Sequence, residues 1–269
     1  MDTQNDTGND AENRGRHITL ADVHAHLDLR QFENDLPDVI RRAEDAGVKA
    51  IIQNSLNPES IKASMNLASE HEIVKLALGV YPVDAIKLSR DELNEQFELI
   101  EAKQNSIMAI GEVGLDYHWV RDDDSRKRQK EIFQEFIRLA EKTKKPLIVH
   151  SREAENDAVD MLLSSDAKAV LHCFNGPLNL AKKAEDSGHR FSIPASIVFI
   201  RHFQELVMQT GMDSILAETD CPYMSPFRGK RNEPAFVAEA YRKIAELKNK
   251  GLQETADAIW SNYKMVFGE

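Results

Sequence analysis

The order of apolar and amphipathic segments constrains this chain more than any single residue does. Residues 18–22, 50–52, 74–78, 107–110, 147–149, 169–171, 190–193 and 214–217 form short, mostly apolar runs. Longer helical patterns separate them, including 36–46 before Gly47, 58–70, 91–103, 126–142 and 181–187 before Gly188. Glycine just past the last helical residue is the expected stop signal, because it adopts the left-handed conformation without strain. A run apolar on both faces is a strand covered on both sides, and strands alternating with helices form parallel βαβ units. Eight such units in 269 residues predict an α/β fold, a parallel eight-stranded (β/α)8 barrel of the TIM type in a single domain. Two further helical stretches, 235–250 and 253–267, complete the predicted outer ring.

Residues 1–16 contain only Met1 and Ala11 as apolar side chains and read as a disordered tail, leaving 17–269 for the barrel. Lys and Arg number 34 against 45 Asp and Glu, a formal charge of −11. Wrapping long duplex DNA needs many cationic side chains against the phosphates, so that class of function is excluded. A small cationic site built from metal ions is not. No window approaches the roughly 18–20 apolar residues of a membrane span, and the amino terminus lacks the basic-then-apolar order of an export signal. Two cysteines, Cys173 and Cys221, suit a reducing compartment rather than a disulfide framework. A cytoplasmic monomer is expected.

In a (β/α)8 barrel the chemistry sits where the strands end. The first run leads into His24 and His26, which two-residue spacing on a strand puts on one face about 6–7 Å apart. The fourth run leads into Glu112, flanked by Gly111, the fifth into His150, the sixth into His172 and the eighth into Asp220. Any one of these histidines alone would read as a hydrogen-bonded core residue. Six metal-competent side chains at the ends of five strands read as a metal site. A catalytic zinc typically takes three protein ligands and a water, so six donors imply two divalent ions, Mg2+, Mn2+ or Zn2+. Glu112, whose two oxygens can face two ions, is the expected bridge. His24, His26 and Asp220 are assigned to one ion, and His150 and His172 to the other. Asp220 is the expected general base, which with Glu112 makes up the catalytic pair. The remaining histidines, His17, His71, His118, His189 and His202, read as surface residues. Cys173 and Cys221 read as small hydrophobes pointing into the barrel wall.

The segments DVHAHLD, GEVGLDYH, PLIVHSREA, LHCFNG, ETDCPY and RGKRNEP, in this order, resemble the TatD-type metal-dependent deoxyribonucleases of the amidohydrolase superfamily, over nearly all of residues 17–267. The resemblance implies a barrel, a two-metal site and hydrolysis of DNA phosphodiester bonds, often as an exonuclease. Matched motif by motif, it gives His24, His26, Glu112, His150, His172 and Asp220 as ligands. One departure is visible: many members read Gly-x-His-Pro where this chain reads Gly79-Val80-Tyr81-Pro82. Tyr81 can donate a hydrogen bond to a phosphate but supplies no imidazolium. Arg152 and Lys230 are the other candidates for phosphate contact, while Arg231, Asn232 and Glu233 read as pins for the following helix. With so few cations near the site, single-stranded DNA or frayed ends are the expected substrate. An amidohydrolase, lactonase or deaminase acting on a small molecule is the alternative. The carboxylated lysine that many such enzymes use after strand four has no counterpart, because no lysine lies between Lys103 and Lys127.

Overall fold

Helix starts are fixed by short polar side chains that accept the first unpaired backbone N–H groups. Asn57 accepts from the Ser60 N–H at 2.9 Å, Asp122 from Ser125 at 2.8 Å, and Ser89 forms a reciprocal capping box with Glu92. Gly47 and Gly188 have φ of +92° and +86° and stop their helices as expected. The structure, a computed structural model, describes residues 18–268. The proposed tail of residues 1–16, and His17, lie outside the described residues.

The elements run β1 Leu20–Ala25, α1 Leu36–Asp45, β2 Val48–Asn54, α2 Pro58–Glu70, β3 Val74–Ala77, α3 Pro82–Ala85, α4 Arg90–Ala102, β4 Ile110–Asp116, α5 Asp123–Thr143, β5 Leu147–Arg152, α6 Glu155–Leu163, β6 Ala169–His172, α7 Leu178–Asp186, β7 Arg190–Pro194, α8 Arg201–Gln209, β8 Ile215–Glu218, α9 Val237–Lys248 and α10 Leu252–Phe267. All strand pairs are parallel, in the ladders β1-β2-β3 and β4-β5-β6-β7-β8. Two narrow seams join the ladders into a barrel. At one, Ala77 pairs with Ala109, and the Met108 N–H donates to Leu76 O at 2.7 Å. At the other, Ala25 pairs with Cys221, and the His26 N–H donates to Cys221 O at 2.9 Å. Buried Asp22 reinforces the second seam by accepting from both the N–H and the Oγ1 of Thr219, at 2.8 and 2.6 Å.

Ala21, Val23, Ala50, Ile52, Ala77, Ala109, Ile148, Val170 and Leu216 form an inner cluster with Tyr263 and Phe267 of α10. Opposite-facing strand residues such as Leu20, Ile51, Val113, Val149, Leu171 and Phe191 join the helices in the larger outer core. Val266 of α10 borders the same depression as Pro146 and Lys168, the residues just before β5 and β6, so α10 closes the end where strands begin. Among the described residues no helix is long and apolar enough to cross a membrane.

Two expectations need correction. The fourth strand is not the apolar run 107–110: Met108 and Ala109 make the seam to β3, and the ladder with β5 runs from Ile110 through Asp116. The glycines permit this close pairing, since a Cβ on Gly111 would lie 2.7 Å from Ile148 Cβ and one on Gly114, at φ +136°, 2.0 Å from His150 O. His189 is buried rather than a surface residue; desolvation at the foot of β7 lowers its pKa to about 4.

Candidate metal centre

Bulges in two strands turn the critical side chains inward. From Asp22 to Ala25, β1 takes three steps where β2 takes two, Ile51 to Gln53. From Ile110 to Val113, β4 likewise takes three against the two of Leu147 to Val149. An extra residue resets which face follows, so His24 faces the barrel mouth although Val23 already packs in the inner cluster. Asp220 enters from the β8 end at φ +57°, its N–H bonded to His24 O at 2.8 Å.

Four donor atoms converge there. His24 Nε2 and His26 Nε2 are 3.1 Å apart, and Glu112 Oε2 lies 3.3 and 3.4 Å from them. Asp220 Oδ1 lies 3.8 and 3.4 Å from the same two nitrogens. Tetrahedral donors around an ion with bonds of about 2.0–2.2 Å would stand about 3.3–3.6 Å apart. The other oxygen of Glu112, Oε1, is 2.9 Å from His150 Nδ1. His172 stacks on His24 with ring centroids 3.6 Å apart, and its Nε2 is 3.9 Å from Asp220 Oδ1. All six side chains expected at the site therefore meet, on one face of the barrel.

The outward nitrogens of three histidines each face a buried oxygen. His26 Nδ1 lies 2.9 Å from the Asn54 carbonyl, which only accepts, so a proton sits there and Nε2 is the nitrogen turned to the site. His150 Nε2 is held by Asp116 Oδ2 at 2.9 Å, and His172 Nδ1 stands 2.9 Å from Glu218 Oε1, leaving the other nitrogen of each turned inward. The donor set thus fits divalent metal: imidazole nitrogens and carboxylate oxygens converge on a shared space, backed by buried oxygens.

The electrostatics agree. Burial opposes charge on Glu112, yet His150 and His24 outweigh it and hold the carboxyl well below its ordinary range. Asp220 is lowered in the same way, burial being outweighed by His172, His26 and His24. Burial also disfavours the His26 and His150 cations, but Asp220 and Glu112 hold His26 up at about 9, and Asp116 and Glu112 do the same for His150. Buried carboxylates in this number demand cations, which protonated His26 and His150 provide and a bound divalent ion would provide in their place.

A cavity of about 570 Å³ opens over the cluster. Arg152 lines it. Tyr81 gives its one O–H to Asp116 Oδ2 at 2.6 Å, so the hydroxyl expected at a phosphate is committed to the acceptor that holds His150. Lys230 does not line the cavity; its Nζ lies 5.6 Å from the Phe227 ring centroid. Arg231 is structural, making two bonds to Asp35 at 2.8 and 2.7 Å, and Glu233 pairs with Arg42 at 2.6 Å, so this loop is pinned to α1 rather than to the helix that follows it. Cys221 is buried as expected, whereas Cys173, at φ +44°, lines the cavity instead of pointing into the wall. His118 also lines the cavity instead of the outer surface, with Nδ1 2.7 Å from Glu153 Oε1.

Sequence reasoning missed Asp116, Glu218 and Asn54 as supports. Glu218 had a signal, standing two residues before Asp220, and Asp116 closes the segment GEVGLD. Asn54 acts through its backbone carbonyl and had none.

Comparison with known proteins follows the same lines. A family model described as TatD related DNase matches residues 21–268. The Bacillus subtilis metal-dependent hydrolase YabD is 36% identical over 255 residues, covering 92% of this chain and 98% of that protein. Human deoxyribonuclease TATDN3 is 30% identical over 264 residues, covering 94% and 96%. The crystal structure of YJJV, a TatD homologue from Escherichia coli, superposes with a TM-score of 0.86 at 28% identity, covering 94% of this chain and all of that one. A barrel whose strand ends carry this histidine and carboxylate cluster, matched along almost its whole length, belongs to the TatD-related DNase family and is a hydrolytic enzyme of the TatD type.

Proposed function

We propose that this chain hydrolyses DNA phosphodiester bonds with two divalent ions, shortening single strands or frayed ends from a terminus. One observation carries the reading: the two oxygens of Glu112 face different histidines, Oε2 toward His24 and His26 and Oε1 toward His150. A carboxylate so divided suits a bridge. His24, His26 and Asp220 would hold one ion, and His150 and His172 the other. When bound, the ions supply Lewis acidity and charge neutralisation to a phosphodiester displacement.

The chain's own groups do the rest. Asp220 faces the cavity with its side chain 15% exposed, ionised, and positioned to accept a proton from the attacking water. Arg152, whose guanidinium fork suits phosphate oxygens, orients the substrate backbone from the end of β5. The human relative's name as a deoxyribonuclease supports DNA as the substrate. The charge of −11 argues for a short contact with a strand end rather than a long track along duplex.

The test is metal content after reconstitution, followed by incubation of the loaded protein with linear single-stranded oligonucleotides. Two ions per chain and progressive shortening with Mg2+ or Mn2+ are expected. One ion or fewer would refute the two-metal site. Intact DNA alongside hydrolysis of a lactone or cyclic amide would move the enzyme to the small-molecule branch.

A further inference from the structure

We propose that Trp119 is a stacking shelf for a base of single-stranded DNA, holding the strand while its backbone reaches the metal centre. This rests on the DNA reading above and names the residue that grips the base rather than the phosphate.

Trp119 is 65% exposed, an unusual state for a ring that gains so much from burial. It is nevertheless held in place. Its backbone N–H donates to Asp116 Oδ1 at 2.9 Å, while Asp116 Oδ2 accepts from His150 Nε2 and from Tyr81. The segment carrying the ring is thus anchored to the same carboxylate that orients a metal-centre histidine. His118 stands edge-on to the indole with centroids 4.8 Å apart, and Arg152 Cζ lies 5.9 Å from the ring centre. Both neighbours line the cavity that contains His150, His172 and Asp220. Arg152 is two residues beyond His150 on β5, a strand separation of about 6–7 Å.

An exposed aromatic face beside Arg152 and His118, which line the cavity, matches the chemistry of an unpaired nucleotide: a flat base next to an anionic link. The acidic neighbours do not cancel it. Glu153 is held by His118 at 2.7 Å, and Glu155 is half-buried, its carboxyl pushed up by burial. A duplex keeps its bases stacked on one another, so the shelf selects strands whose terminal base is free.

The chain contains two tryptophans, and the second, Trp260, stacks on Tyr263 in α10 at the closed end of the barrel. A Trp260→Phe variant therefore reports on Trp119 alone, with that residue unaltered. The probe is a short phosphorothioate-linked oligothymidylate, which is cleaved slowly, added to the metal-loaded variant. Binding is followed separately by anisotropy of an end-labelled copy. A base on the shelf should quench the Trp119 emission, whereas a strand of the same backbone with abasic ends should bind more weakly and leave the emission unchanged. Trp119→Ala should weaken oligothymidylate binding roughly five-fold or more, and Trp119→Phe should retain most of it. Binding and cleavage with unchanged emission, or equal quenching by the abasic strand, would overturn the shelf and leave the DNA reading standing. No binding and no cleavage of any strand would overturn both.

Discussion

At the end of the barrel where strands begin, Tyr263 and Phe267 of α10 close over alanines, Val23, Ile52, Ile148, Val170 and Leu216. At the end where strands finish, the same strands carry His24, Glu112, His150 and His172, backed by Asp116, Glu218 and the Asn54 carbonyl. The first end needs only shape and volume, so each contact is worth what its buried area is worth. The second needs every nitrogen to carry its proton on the correct side, so a single lost acceptor changes the function of a residue that has not itself been touched. At one end of the barrel the inner side chains serve packing, and at the other they serve chemistry.

That division can be broken most sharply at Glu112. Glu112→Gln removes the charge that faces both sides of the centre, and turnover should fall at least ~10³-fold, several kcal/mol of lost charge stabilisation. Elemental analysis should show the ions falling from two to one or none; two retained ions would end the bridging role. At the opposite end, Phe267→Ala should lower stability by about 3 kcal/mol, roughly a hundred-fold in the folding constant, in denaturant titration. Its turnover per folded molecule should match the parent, and a parallel loss of turnover would erase the contrast between the ends. Asp220→Asn should cut turnover by ~10² with substrate affinity nearly unchanged, and near-normal turnover in the metal-loaded variant would remove Asp220 as the base. The smallest effect is expected from Tyr81→Phe, which deletes one of the hydrogen bonds to Asp116 while leaving His150 in place. Metal affinity, read by competition with a chelator, should drop about ten-fold, the low end for outer supports. If affinity holds while the Michaelis constant for DNA rises, Tyr81 contacts substrate after all.

Much of the molecule is legible in its sequence because the strong signals are local. Helix 58–70 follows from Asn57 and Pro58, and its bounds coincide with those of α2. The histidines could be found because His150 and His172 directly follow apolar runs and His24 and His26 lie within four residues of one, where a buried polar group is costly unless it is paired or binds a metal. The same rule placed the fourth strand too early. Residues 107–110 are its most apolar part, but pairing with β5 is decided by Gly111 and Gly114, which admit a neighbouring backbone that no pattern of hydrophobicity reports. His118 and Cys173 were misread for a related reason: their directions depend on a turn held by Asp116 and on a left-handed residue, both set by contacts distant in sequence.

By itself, then, the sequence determined the alternation of strands and helices, the barrel it implies, and which six side chains gather at its mouth, since periodicity and position along a strand are properties of a local stretch. Only the tertiary structure decided which nitrogen of each histidine faces inward, that Glu112 turns its oxygens to different partners, that Tyr81 serves Asp116, and that Lys230 stands apart from the cavity. Those outcomes depend on distances of about 3 Å between residues tens to hundreds of positions apart, where a hydrogen bond either forms or does not.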